Sequence, residues 1–257
     1  MTVPADTIPL LIGAWFWPFL RIAALLTAAP LLGAGYITPR VRLALAFALA
    51  LVLTPLVDAP AISPLSAAGV LLTVEQVLVG VLMGLAVRLM LVVFDLAGQL
   101  VSQTMGLGFA AMVDPATGAQ VPAVSQLYLV LTSLVFVTVD GHLLLIQVLA
   151  RSFEVLPPGA GVDPGAFWEL PARAGWALGA GAVIALPAVT AMLLVNLAFG
   201  VMTRTAPQLN LFAVGFPITL MMGFVVILLT LPGVLFQVET TIAQAMSLAL
   251  GLLRGGT

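Results

Sequence analysis

The stretch Gly106-Leu107-Gly108-Phe109-Ala110-Ala111 has the glycine spacing of a dinucleotide-binding turn. In that motif backbone N–H groups at a helix start cradle a pyrophosphate. The chemistry needs a strand before the turn and a helix after it, within a βαβ unit, and the flanking sequence supplies neither. Two readings remain. One is a flexible apolar loop in which Met105, Phe109 and Met112 alternate with glycines able to take positive φ, a surface fit to seal and repack. The other is an ordinary helix end. His142, in Asp140-Gly141-His142, is the chain's one histidine. One histidine and one acid are too few for a metal site, and no nucleophile with a fixed base accompanies them. That tripeptide reads as an interfacial turn. The sequence therefore offers no catalytic, cofactor-binding or metal-ligating set.

Charge is informative for where it interrupts apolar sequence. Arg21, Glu75, Arg88 and Asp95 lie in or at the edge of runs otherwise fit for lipid. Such groups face protein or a water-filled cavity, because leaving them unpaired in an apolar medium costs several kcal/mol. Glu75 and Arg88 stand 13 positions apart, about 20 Å along a helix, too far to pair directly. Each needs a partner elsewhere, in this chain or in another subunit.

The elements that position these groups follow from composition. Of 257 residues, 62% are hydrophobic and 7% charged, with a mean hydropathy of +1.24. A soluble domain carries about a quarter charged residues, so this chain cannot cover its own surface in water. Eight arginines, no lysine and ten acids leave no basic patch to neutralise phosphates, which excludes nucleic acid as a partner. Cysteine is absent, and with it disulfides and thiolate ligation. Met1 to Asp6 carries an acid and no base, unlike a secretory signal, so the apolar run after it is expected to be retained.

Apolar runs cover about 8–36, 41–57, 67–94, 121–148, 174–203 and 211–238, with a lesser one at 242–253. In lipid the backbone must satisfy itself, so they read as helices, six spans of about 20 residues. Pro9, Pro18, Pro30, Pro187, Pro217 and Pro232 predict kinks. In a six-span arrangement Arg40, Arg42, Arg88 and Arg204 share one side, and Arg151, Arg173 and Arg254 the other. The positive-inside rule then puts Arg40 and Arg42 in the cytoplasm. The connection from Arg151 to Arg173 is the longest, and no soluble domain or internal repeat is visible. Gly80-xxx-Gly84 and Gly175-xxx-Gly179 permit close helix approach, with packing inside the chain the favoured reading. Arg204, Pro207, Gln208 and Asn210 form a polar island in Arg204-Thr205-Ala206-Pro207-Gln208-Leu209-Asn210, where proline stops a helix and the amides satisfy freed backbone groups.

Four stretches taken together resemble the FliR family of flagellar biosynthetic proteins, which has counterparts in virulence type III secretion. They are Pro39-Arg40-Val41-Arg42-Leu43-Ala44-Leu45; Ala97-Gly98-Gln99 continuing through Met105-Gly106-Leu107-Gly108 to Asp114-Pro115; Asp140-Gly141-His142 with Ser152-Phe153 and Leu156-Pro157; and Arg204 to Asn210 running into Val214-Gly215-Phe216-Pro217. Each is common alone, and their order along most of the chain is specific. The Met105–Pro115 stretch is closer to the flagellar form.

The resemblance implies an all-α integral membrane protein of kinked apolar helices and helical hairpins, a FliP-like part joined to a FliQ-like hairpin. Residues 1–257 then make a single export-gate domain without enzymatic activity or cofactor. It implies FliP and FliQ as partners in a hetero-oligomeric gate beside FlhB and FlhA, with unfolded flagellar proteins as substrates. It places the gate in the bacterial inner membrane, within the flagellar basal body. It also implies that apolar hairpins pack on one another as well as on membrane lipid. In the family, the loop matching Met105 to Gln120 contributes to a channel plug, giving Met105, Gly106, Leu107, Gly108, Phe109, Met112, Asp114 and Pro115 as seal residues. The alternatives are a virulence-type gate subunit or a small-solute transporter. A transporter predicts inverted repeats and a charged midplane site.

Overall fold

The structure is a computed structural model and describes residues 7–30, 33, 37–60, 62–107, 122–205 and 215–254. Among them every regular element is helical: α1 (Thr7–Ala28), α2 (Pro39–Leu53), α3 (Ala67–Thr104), α4 (Ala123–Thr138), α5 (Gly141–Val155), α6 (Gly165–Thr205) and α7 (Phe216–Gly251). The chain is an all-α integral membrane protein, as its composition requires.

Local sequence sets the helix ends. Pro39 opens α2 at its first position, behind an extended Thr38, where a missing N–H costs nothing. A 3₁₀ turn at Thr54–Leu56, containing Pro55, closes it. Ser66 Oγ accepts from Gly69 N–H at 3.0 Å, capping the orphan donors that begin α3. After Leu156, Pro157 and Pro158 prevent α5 from continuing. Asp163 Oδ1 then accepts from Gly165 N–H at 2.9 Å where α6 starts.

Among the described residues four helical segments are long and apolar enough to cross a membrane: Pro39–Leu56, Ala67–Thr104, Gly165–Thr205 and Phe216–Gly251. The α4–α5 pair supplies a fifth if counted as one broken span. The observed helices differ from the expected apolar runs in three ways. The runs 211–238 and 242–253 fuse into α7, because Glu239-Thr240-Thr241 contains no glycine or proline to stop the helix. The run 67–94 extends to Thr104, which puts Arg88 inside α3 instead of at a turn and removes it from the tally of loop charges. The 151–173 connection shrinks to 156–164, since both flanks are helical.

Helices α1, α6 and α7 run through Pro18, Pro187 and Pro232, whereas Pro217 sits in the first turn of α7 and Pro30 lies beyond α1. The break in the fourth apolar run falls at no proline. It falls at Asp140, held left-handed with φ 56°, a conformation that aspartate tolerates better than most residues.

The chain divides into two compact units. One comprises 1–89, 140–174 and 242–257, the other 90–139 and 175–241. In the first, α1 is the centre: Trp17, Arg21, Ile22, Leu25 and Leu26 are all buried. It meets α2 through Trp15 and Phe47, whose rings lie edge-on at 4.6 Å. It meets α3 at Gly80 and Gly84. A Cβ on Gly80 would stand 2.7 Å from Ala24 Cβ, and one on Gly84 2.6 Å from Ala28 Cβ. The Gly80-xxx-Gly84 face therefore packs within the chain. Gly175 and Gly179 have nothing within 4 Å of a built Cβ.

In the second unit Gly98 carries the close approach of α3 to α4, a Cβ there falling 2.8 Å from Ser125 N. Gly181 of α6 fits against α3, a Cβ there lying 3.1 Å from Leu96 Cβ. The apolar windows of α2, α6 and α7 are 17% buried and that of α3 is 56% buried. On that measure α3 is the most enclosed of the four, and the others present their apolar surface outward.

Candidate functional site

Arg21 organises the first unit. Its guanidinium is fully buried, a position tenable only when every donor finds an acceptor. Nε donates to Gln76 Oε1 at 2.8 Å, and Nη1 to Ser152 O at 3.0 Å and Ser152 Oγ at 3.3 Å. Nη2 donates to Leu156 O at 2.9 Å. The plane also lies 4.4 Å from the Phe153 ring centre, a cation–π contact. Two of these acceptors are carbonyls at the C-terminal end of α5, Ser152 in its last turn and Leu156 just beyond it, where the helix dipole favours a cation.

From Gln76 the network continues, its Nε2 donating to Glu75 Oε1 at 3.1 Å. The same oxygen accepts from Gly159 N–H at 3.1 Å. Arg21 thus ties α1, α3, the end of α5 and the 156–160 turn together. Glu75, for which the sequence left the partner open, has both of its bonds inside this chain. Arg88 is exposed on α3 and has no hydrogen-bond or ion-pair partner among the described residues. Asp95 belongs to the second unit, where Oδ1 accepts from the hydroxyl of Ser125 on α4.

The beginning of the expected seal is a helix end. Leu107 N–H reaches back to Ser102 O at 3.1 Å, and Gly106 N–H to Gln103 O at 3.0 Å. Gly106 lies between them at φ 80°. This is a Schellman stop, and the left-handed position explains the glycine. Asn196 of α6 adds a side-chain bond from Nδ2 to Thr104 O at 3.0 Å. Met105 is buried, its side chain filling the space over Gly223 of α7. A Cβ at Gly223 would fall 2.7 Å from Met105 Cγ.

Beside this corner is a cavity of about 330 Å³, lined in part by Thr104, Met105, Gly106, Asn196, Phe199 and Phe216. Met105–Leu107 is therefore anchored on three helices of its unit. Gly108, Phe109, Met112, Asp114 and Pro115 lie outside the described residues, as do Pro207, Gln208 and Asn210. Arg204 is exposed in the last turn of α6.

Sequence reasoning missed Gln76, Ser125, Ser152, Gly159, Asn196 and Gly223. Gln76 and Asn196 had a visible signal, each being an amide inside an apolar run. The serines and glycines had none, because a small residue becomes informative only once its neighbour is known.

The sequence model of the bacterial export proteins, family 1, matches residues 12–245, which takes in all or most of every helix just described. This chain belongs to that family. It is similar to the flagellar biosynthetic protein FliR of Pectobacterium carotovorum, 39% identical over 222 residues, 86% of this chain and 85% of the relative. The Escherichia coli K12 FliR is 35% identical over 213 residues, 82% of each chain. That of Bacillus subtilis 168 is 30% identical over 223 residues, 85% of this chain and 86% of the relative. All three are flagellar. The resemblance carried by the four sequence stretches is thus to the right family, and the chain is a structural component of flagellar protein export. Its apolar helices are those of a multi-pass inner-membrane export protein.

Proposed function

We propose that this chain is one subunit of the flagellar type III export gate, assembling with FliP and FliQ subunits beside FlhB and FlhA. All of 1–257 acts as one gate subunit, in which α6 and α7 form the FliQ-like hairpin. It lines the channel through which unfolded flagellar proteins leave the cytoplasm, performs no reaction, and relies on machinery outside the chain for energy. The family match over 12–245 is the observation that carries this reading. The outward apolar faces of α2, α6 and α7 add to it, because long apolar helices with so little of their surface covered suit packing against other subunits.

Within that gate the Met105–Pro115 stretch acts as the seal. A closed channel must exclude ions, and a constriction lined by apolar side chains does so by dewetting. The support is the anchoring of its first residues. Met105 over Gly223 and the stop at Gly106 fix where the stretch begins. Co-expression with FliP and FliQ tests the assembly. The chain should purify with both as one defined species that survives size-exclusion chromatography, and alone in detergent only at lower yield. A monodisperse chain that ignores both partners contradicts the reading.

A further inference from the structure

Among the described residues Arg88 is the one charge of α3 without a bond: Glu75 is held by Gln76 and Gly159, and Asp95 by Ser125. Its surroundings on the helix are apolar. Val74, Leu78, Val81, Leu85 and Arg88 recur at intervals of four and three residues and so form one stripe. Val74, Leu78 and Leu85 are 51%, 41% and 37% exposed. One turn past Arg88 the same face carries Val92, 36% exposed. Arg88 is 16 residues from the C-terminal end of α3 and 21 from its start, about 24 and 31 Å at helical rise. Lipid against this stripe would leave a cation in hydrocarbon at a cost of several kcal/mol.

We infer that this stripe is covered by an apolar helix of a different gate subunit, which carries a carboxylate in its apolar stretch and pairs it with Arg88. The inference rests on the gate-subunit reading above and adds the chemistry of one contact. Arginine suits the role, because its planar fork holds a carboxylate through two bonds in a dry interface. A second copy of this chain fits poorly. Of the acids inside its helices, Glu75 and Asp95 are already bonded, and Glu154 and Glu169 each stand one helical turn from an arginine of their own helix, Arg151 and Arg173. Glu239 lies among Gln237, Thr240, Thr241 and Gln244 on α7, a polar neighbourhood unlike the surface the stripe requires.

The test uses the full chain co-expressed with its gate partners. A benzophenone amino acid replacing Leu85 should cross-link to another gate subunit, at a peptide whose apolar run contains Asp or Glu. Arg88→Gln should lower recovery of that subunit about ten- to hundredfold, the range for a charge-assisted bond, and Arg88→Lys less. Arg88→Glu combined with the partner's acid changed to Arg should restore recovery. Expressed alone, the Arg88→Gln chain should match the wild type in level and thermal unfolding, because Arg88 bonds nothing among the described residues. A cross-link to lipid alone or to a second copy overturns the inference. So does normal recovery of partners by Arg88→Gln, or instability of that variant on its own. Export assayed in a gene-deletion strain separates the two levels: secretion that survives deletion sinks the gate reading, whereas secretion lost on deletion with Arg88→Gln assembling normally sinks this contact alone.

Discussion

Replacing Arg21 with methionine keeps most of the side-chain volume while deleting the guanidinium. Gln76 Oε1 and Leu156 O then lose the donors that reach them at 2.8 and 2.9 Å. Ser152 O keeps its helical bond from Leu156 N–H at 3.0 Å, so it is only partly orphaned. Summing all four bonds at about 1.5–3 kcal/mol each overstates the loss, since the wild type also bears the cost of burying a cation. Measured cases in which one partner of a buried charged network is removed fall at about 3–5 kcal/mol, and that is the expected effect here. At roughly 2–4 °C per kcal/mol for a chain of this size, the melting midpoint in detergent should fall by about 6–20 °C. Arg21→Lys retains the charge but not the fork and should lose about half as much. A double-mutant cycle with Gln76→Leu should return a coupling of about 1–3 kcal/mol. Because every partner of Arg21 lies in its own chain, the effect should appear without any other subunit present. An Arg21→Met protein melting within 2–3 °C of wild type, by about the same conversion, would refute the hub.

Glu75→Gln should be nearly silent, within about 1 kcal/mol, because its Oε1 acceptor survives and faces the same two donors; differential scanning fluorimetry checks this. Gly223→Ala should cost about 1–3 kcal/mol through overlap with Met105, and adding Met105→Ala should recover part of that loss, read in the same melting assay. Deleting Gly106 to Ala111 should leave the gate assembled but leaky, with raised dye uptake. An assembled deletion variant as tight as wild type ends the seal hypothesis.

The fold class was legible because hydrophobic content decides the solvent, and the solvent then decides that helices form. Helix boundaries were less legible. At 239–241 three polar residues look like an interruption, but a helix yields to glycine or proline more readily than to polarity, and α7 continues. At Asp140 the chain breaks without a proline, through one left-handed residue. The charges in apolar runs were visible as anomalies, and Arg21, Glu75 and Asp95 proved to be bonded groups. Their partners were invisible because they lie 55 to 135 residues away for Arg21 and 84 for Glu75. Gly106 could be read as a loop hinge or a helix stop, and only the two backward bonds from Gly106 and Leu107 distinguish them.

The central claim is that this chain is needed to pass flagellar proteins across the inner membrane. The measurement that tests it most directly is filament protein in the culture medium of a gene-deletion strain, with the cytoplasmic pool assayed in parallel. Secreted filament protein should vanish while the cytoplasmic pool persists, and plasmid-borne wild-type gene should restore secretion. A deletion strain that still swims and secretes filament protein would contradict it.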